Sequence, residues 1–147
     1  MLTACGKQEV PEQSHVEVII IEPPIVVIES ESTTISEPLW TEQEVQAIAL
    51  TLAGECYDDK EWDKRRVCEV ILNRVSDGNW GDTVLEVLED DSQFSGYWKQ
   101  NRPVTESDLE IAEQALADWY ANGCKALSDY LYFCAGENRE NVFRSKY

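Results

Sequence analysis

The stretch Thr41-Glu42-Gln43-Glu44, followed by Val45, Ile48, Ala49, Leu52 and Cys56, most constrains the fold of this chain. Thr41 as N-cap with Glu44 three residues on is a capping box, in which each side chain satisfies a backbone amide of the other. The apolar residues recur at helical spacing and form one stripe that needs a partner surface. The stripe ends at Ala53-Gly54-Glu55-Cys56-Tyr57. At ~100° per residue, Glu55 lies about 20° in azimuth from Ile48, two turns further on. It therefore belongs to the edge of the buried face. Burial disfavours an ionised carboxylate, so its pKa is expected to rise, and an acid that keeps its proton near neutral pH can act as a general acid. The competing reading is a helix-end acid bonded to nearby backbone.

Further helices follow. Residues 60–76 carry Trp62, Val67, Cys68, Val70, Ile71, Leu72 and Val75 as a buried side, and Asp77-Gly78 ends the pattern. Lys64, Arg65 and Arg66 read as a solvated basic face. Asn73 lies among the apolar residues and must find partners; it could orient a substrate or a catalytic group, or simply bond backbone. Residues 83–89 suggest a short helix capped by Asp82 or Thr83. Ser92-Gln93-Phe94-Ser95-Gly96-Tyr97-Trp98 has no period and reads as a loop of hydroxyl, amide and aromatic groups, suited to sugar or to packing on the core. Thr105-Glu106-Ser107-Asp108 caps a long helix with Ile111, Ala112, Ala115, Leu116 and Trp119 as its stripe, ended by Asn122-Gly123. Tyr130–Cys134 reads as a short strand. The final residues read as loop or a turn of helix, with Phe143 and Tyr147 packed back. The fold class is mostly α, with one short β element.

Residues 1–39 read as a flexible, acidic arm before a domain at 40–147. Two Val/Ile clusters at 16–21 and 25–28 are split by Pro23-Pro24, and neither approaches the ~20 apolar residues of a membrane span. A pair of edge strands is the alternative for them. Leu2-Thr3-Ala4-Cys5-Gly6 has the form of a bacterial lipobox, which makes Cys5 a candidate for lipidation and the cell envelope the expected location. No apolar core precedes it in the sequence as given.

The formal net charge of −17, of which −11 falls in residues 40–147, argues against nucleic acid and against adsorption to an anionic membrane. Membrane contact is expected only through lipid on Cys5. The only histidine, His15, lies in the arm. Ser-His-Asp and Cys-His catalysis and a His-based zinc site are thereby removed from the domain. No CxxC pair and no nucleotide motif is present, so no metal and no cofactor is expected. Catalysis, if present, falls to carboxylates. Cys56, Cys68, Cys124 and Cys134 allow three pairings if an envelope location oxidises them. Cys56, Cys68 and Cys134 also read as small buried residues.

The order Trp40-Thr41, Ile48-Ala49-Leu50, Gly54-Glu55, Val70 through Val75, Thr83-Val84, Gln93-Phe94-Ser95, Ala112 through Leu116 and Leu131-Tyr132-Phe133 resembles the cell wall hydrolase family that includes the spore cortex-lytic enzymes. The resemblance implies a compact helical fold similar to lysozyme and lytic transglycosylases. It implies peptidoglycan as partner and substrate, cleaved between N-acetylmuramic acid and N-acetylglucosamine; separately, a monomer is expected. The family's catalytic glutamate matches Glu55, Gln93 and Ser95 match its cleft loop, and Tyr132 its aromatic strand. Two family histidines are replaced here by Cys134 and Arg144. Two-carboxylate hydrolysis needs a second acid ~5–5.5 Å away for retention or ~6.5–9.5 Å for inversion; Asp82, Asp90, Asp91 and Asp129 are the candidates. A lytic transglycosylase needs Glu55 alone, and that route is preferred. The alternatives are a non-catalytic wall-binding module on a lipoprotein arm and a phage-derived lysis enzyme.

Overall fold

A computed structural model of the chain describes residues 36–147. Cys5, His15, the Val/Ile clusters and most of the expected arm lie outside the described residues.

The first helix, α1, runs Glu42–Glu55, and both halves of the Thr41–Glu44 capping box are formed. Helix α2 spans Glu61–Asp77 and stops at Gly78, whose φ of 75° is the left-handed cap that a Cβ disfavours. The short α3, Val84–Glu89, is capped by the Thr83 hydroxyl. A four-residue α4, Ser95–Trp98, follows. Helix α5, Glu106–Ala121, opens on the second capping box, Thr105 with Asp108. Two strands end the chain: β1, Tyr132–Ala135, pairs antiparallel with β2, Asn141–Arg144, placing Tyr132 opposite Arg144 and Cys134 opposite Val142. Among the described residues the protein is mostly helical with one two-stranded sheet.

The core is the meeting of the helical stripes. Ile48 and Leu52 of α1, Val67, Ile71 and Leu72 of α2, Val87 and Leu88 of α3, and Ala112, Ala115 and Leu116 of α5 are all buried around Phe94. Each large side chain removed from water contributes roughly 1.5–3 kcal/mol. Phe94 connects this core to the hairpin, its ring 5.9 Å from that of Phe133.

Several local expectations are corrected. Residues 95–98 form a helical turn, because Phe94 is pulled into the core and the Tyr97 and Lys99 amides bond back to Phe94 and Ser95. Residues 141–144 form a strand, because the Leu131 amide and the β1 backbone supply partners that a terminal loop lacks. Trp62 is largely exposed; it lies in the first turn of α2 and meets the edge of Phe143 at 5.8 Å. Tyr147 is fully exposed. Cys134 is exposed, and all four described cysteines are free thiols.

The largest correction is Lys64, expected on a solvated face and in fact 0% exposed. Its ammonium lies 3.0 Å from Asp108 Oδ1 and 2.8 Å from Asp58 Oδ1. Arg102 takes the other side of Asp108, with contacts of 2.6 and 2.8 Å to its two carboxylate oxygens. Arg65 and Arg66 instead form partly exposed pairs with Asp118 and Glu69.

Candidate active site

Glu55 is the last residue of α1 and is half-buried. Three segments hold the end of this helix. Asn101 donates its backbone amide to the Ala53 carbonyl at 3.2 Å and its side-chain amide to the Gly54 carbonyl. Arg102 donates to the Cys56 carbonyl at 3.1 Å. Asn141, from β2, donates to the Glu55 carbonyl at 3.0 Å while Asp63 of α2 accepts from its amide and side chain. The carbonyls left free at a helix C-terminus need such donors.

The Glu55 carboxylate accepts a 2.6 Å hydrogen bond from the Gly96 amide. Burial raises its pKa above the ordinary carboxylate range; the Gly96 amide and the Ser95 hydroxyl, which stabilise the ionised form, oppose that rise. The close approach depends on two glycines. A Cβ on Gly54 would overlap the Gly96 backbone, and a Cβ on Gly96 would stand 2.7 Å from Glu55 Cγ and 2.8 Å from Oε1. Gly96→Ala is therefore expected to displace the carboxylate, lowering cell wall cleavage by at least about tenfold, with an overpacking cost of about 1–3 kcal/mol. Turnover and thermal melting of the variant check this.

Two depressions flank Glu55. One, of about 160 Å³, is lined by Gly54, Tyr57, Asn101 and Arg102. The other, of about 330 Å³, lies toward the hairpin and is lined by Tyr57, Gly136, Arg139, Glu140 and Asn141. Glu55 and Tyr57 line both.

Of the other sequence-derived candidates, Ser95 is beside Glu55. Gln93 accepts a 3.1 Å bond from Arg74. Arg74 is buried, which lowers its guanidinium to about 10 and leaves it a cation at neutral pH. It lies 4.0 Å from the ring of Trp80 and 5.6 Å from that of Tyr132. Gln93 and Tyr132 thus share an Arg74-centred aromatic cluster and line neither Glu55 depression. Asn73 is buried and bonds the Tyr130 carbonyl, the Ser128 hydroxyl and the Leu127 amide, at 2.8, 3.0 and 2.8 Å. It anchors the segment leading into β1, the backbone-bonding one of the roles open to it.

None of Asp82, Asp90, Asp91 and Asp129 lines a Glu55 depression. Glu140 does, and it pairs with Lys60 at 3.0 Å. Sequence reasoning missed Glu140, Asn101, Arg102 and Asn141, because each lies in a stretch without helical period. Cys56 beside Glu55 is no nucleophile: burial, with Asp63 nearby, raises its thiol far above neutrality. Burial likewise holds the Cys68 thiol at about 12.

The fold and site define a mostly helical protein with a half-buried carboxylate that lines two adjacent depressions. The model of the Cell Wall Hydrolase family matches residues 58–147, and the chain belongs to this family. It is a cell wall hydrolase, with peptidoglycan as the substrate class. The match covers α2 through β2 and begins three residues after Glu55. No curated protein and no solved structure matches the chain.

Proposed function

We propose that the protein cleaves peptidoglycan glycan strands between N-acetylmuramic acid and N-acetylglucosamine as a lytic transglycosylase, with Glu55 as the single acid and base. The observation that carries this reading is the Glu55 carboxylate itself, half-buried, tied to the Gly96 amide and common to both halves of the cleft. Protonated Glu55 gives its proton to the glycosidic oxygen as the bond to the muramic C1 breaks. The resulting carboxylate then takes the proton of the muramic 6-hydroxyl while O6 bonds to C1. A 1,6-anhydro ring closes, Glu55 regains its proton, and no water is consumed.

Digestion of purified sacculi followed by mass spectrometry tests the reaction. Anhydro-muropeptides, lighter by one water than hydrolytic products, are expected. A product set made only of reducing-end muramic acid overturns the transglycosylase. One observation favours that second reading: Glu140 shares a depression with Glu55 and could serve as the second carboxylate of a hydrolase.

The pH profile follows from the raised pKa of Glu55. Because its pKa is raised and the protonated form starts the reaction, kcat is expected to fall as pH climbs through that raised value. Ser95→Ala removes a group that stabilises the ionised form and should move this alkaline limb to higher pH. An unmoved limb in Ser95→Ala argues that another group controls it.

The envelope location and lipid on Cys5 belong to the same proposal and rest on the Leu2–Gly6 motif. Metabolic labelling with a radioactive fatty acid, lost in Cys5→Ala, tests them.

A further inference from the structure

We propose that Arg139 and Tyr57 form a carboxylate-binding subsite on the hairpin side of the cleft, which recognises the acidic, peptide-bearing part of the substrate. This rests on the reading that peptidoglycan strands lie across Glu55. Three observations carry it.

The first is the backbone. The turn joining β1 to β2 has Asn138 and Arg139 at its centre, with φ of 57° and 64°, and the Glu140 amide bonds the Glu137 carbonyl at 3.2 Å. Two successive left-handed residues make a type I′ hairpin turn, which favours Asn followed by Gly. Asparagine occupies its favoured place. An arginine stands where glycine is the unstrained choice, and a side chain in that conformation is strained. Strain of this kind points to a use for the side chain.

The second is where the side chain goes. The guanidinium lies 4.0 Å from the centroid of the Tyr57 ring, and both residues line the depression that contains Glu55. The ring fixes the plane of the guanidinium beside the cleft.

The third is its unused donor capacity. Of its five N–H groups, one meets Asp59, at 3.4 Å across an exposed pair, a contact of little strength. The other cations near Glu55 are engaged. Arg102 holds Asp108 through two contacts, and Lys60 holds Glu140. Among the described residues lining the Glu55 depressions, Arg139 is the cation with donors to offer.

The charge of the domain gives this a purpose. Residues 40–147 carry −11, and the peptide stems of peptidoglycan are anionic. General repulsion disfavours that substrate, and a local guanidinium at the cleft offsets it. A planar, fork-shaped donor selects a carboxylate over an amide.

The test is binding of a soluble disaccharide-peptide muropeptide, compared with the same muropeptide after carbodiimide conversion of its carboxylates to amides. The wild type is expected to bind the carboxylate form about tenfold more tightly, a preference that shrinks as salt is added. Arg139→Gly should abolish the preference with a melting temperature equal to or above that of the wild type, because glycine relieves the turn. Arg139→Lys should keep part of the preference. A wild type without preference, or an Arg139→Gly variant that retains it, overturns the subsite. So does a melting temperature that falls together with affinity for both forms, which marks a structural arginine. Digestion of sacculi is scored separately. Discrimination without fragment release leaves the subsite standing and removes the cleavage reading, and release without discrimination does the reverse.

Discussion

Glu55→Gln is expected to lower release of soluble fragments from sacculi by about 10²–10⁴-fold, the range general acid–base catalysis contributes. Glutamine has nearly the size of glutamate and keeps an oxygen to accept the Gly96 amide, which lies 2.6 Å from Glu55 Oε1. What it lacks is the transferable proton. Folding should survive, and the sign of the stability change is set by the raised pKa. A carboxyl whose folded pKa lies above its unfolded value binds protons more tightly when folded. Its contribution to stability is fully present below the unfolded pKa and is lost as pH rises through the folded one. At neutral pH the wild type carries that penalty and the glutamine variant does not, so the variant's melting temperature should equal or exceed the wild type's. Fragment release by Glu55→Gln at the wild-type rate, with the same products, would remove Glu55 from the chemistry and leave Glu140 as the carboxylate to examine next. A variant that binds sacculi and releases nothing supports the assignment.

The second large effect is on stability. Asp108 is fully buried between Lys64, also fully buried, and Arg102, and it accepts the Thr105 amide as part of the α5 capping box. Burial opposes its ionisation, but Arg102, the Thr105 amide and Lys64 together outweigh it and hold the pKa at about 2. Asp108→Ala leaves Lys64 and Arg102 with only the half-exposed Asp58 between them and removes a cap. Breaking such a buried pair costs about 3–5 kcal/mol, a large share of the ~5–15 kcal/mol that stabilises a typical domain. Thermal or urea unfolding checks it. A change below about 1 kcal/mol would mean that water reaches Lys64. The pH dependence has a defined sign. A depressed pKa gives stability that is complete above the unfolded value of about 3.9 and is lost as pH falls through the folded value. Asp108→Asn should therefore flatten the acid limb of wild-type stability between about pH 4 and pH 2. Some loss of activity should follow too, because Arg102 also donates to the Cys56 carbonyl just past Glu55.

Local pattern carried much of the fold. Both capping boxes are formed as the Thr41–Glu44 and Thr105–Asp108 spacing predicts, since caps are written within four residues. The phase of the α1 stripe placed Glu55 at the edge of the buried face, and the structure finds it half-buried there. Lys64 was not legible. Its partner Asp108 is 44 residues away, and no local rule distinguishes a lysine that will meet a buried aspartate from one that meets water. The second strand was equally hidden: Asn141–Arg144 is four residues long, and its pairing is supplied by β1. The site divided along the same line. The carboxylate was marked by helical phase, whereas Asn101 and Arg102 reach it from a loop and Arg139, Glu140 and Asn141 from the β-hairpin. The cleft-loop candidates split as well, Ser95 lying at Glu55 and Gln93 at Arg74.

The contact of Gly54 with Gly96 also bears on how such a cleft can diversify. Every amino acid other than glycine carries a Cβ, so every missense codon change at either position brings an atom into the other backbone or into Glu55. Nor can the two positions compensate for each other, because a second substitution only adds another atom to the same gap. The spacing between the acid and the turn that holds it is thus closed to gradual drift. Heritable change in what the cleft accepts is left to side chains that hold neither the glycines nor the end of α1, such as those of the hairpin turn at 137–140.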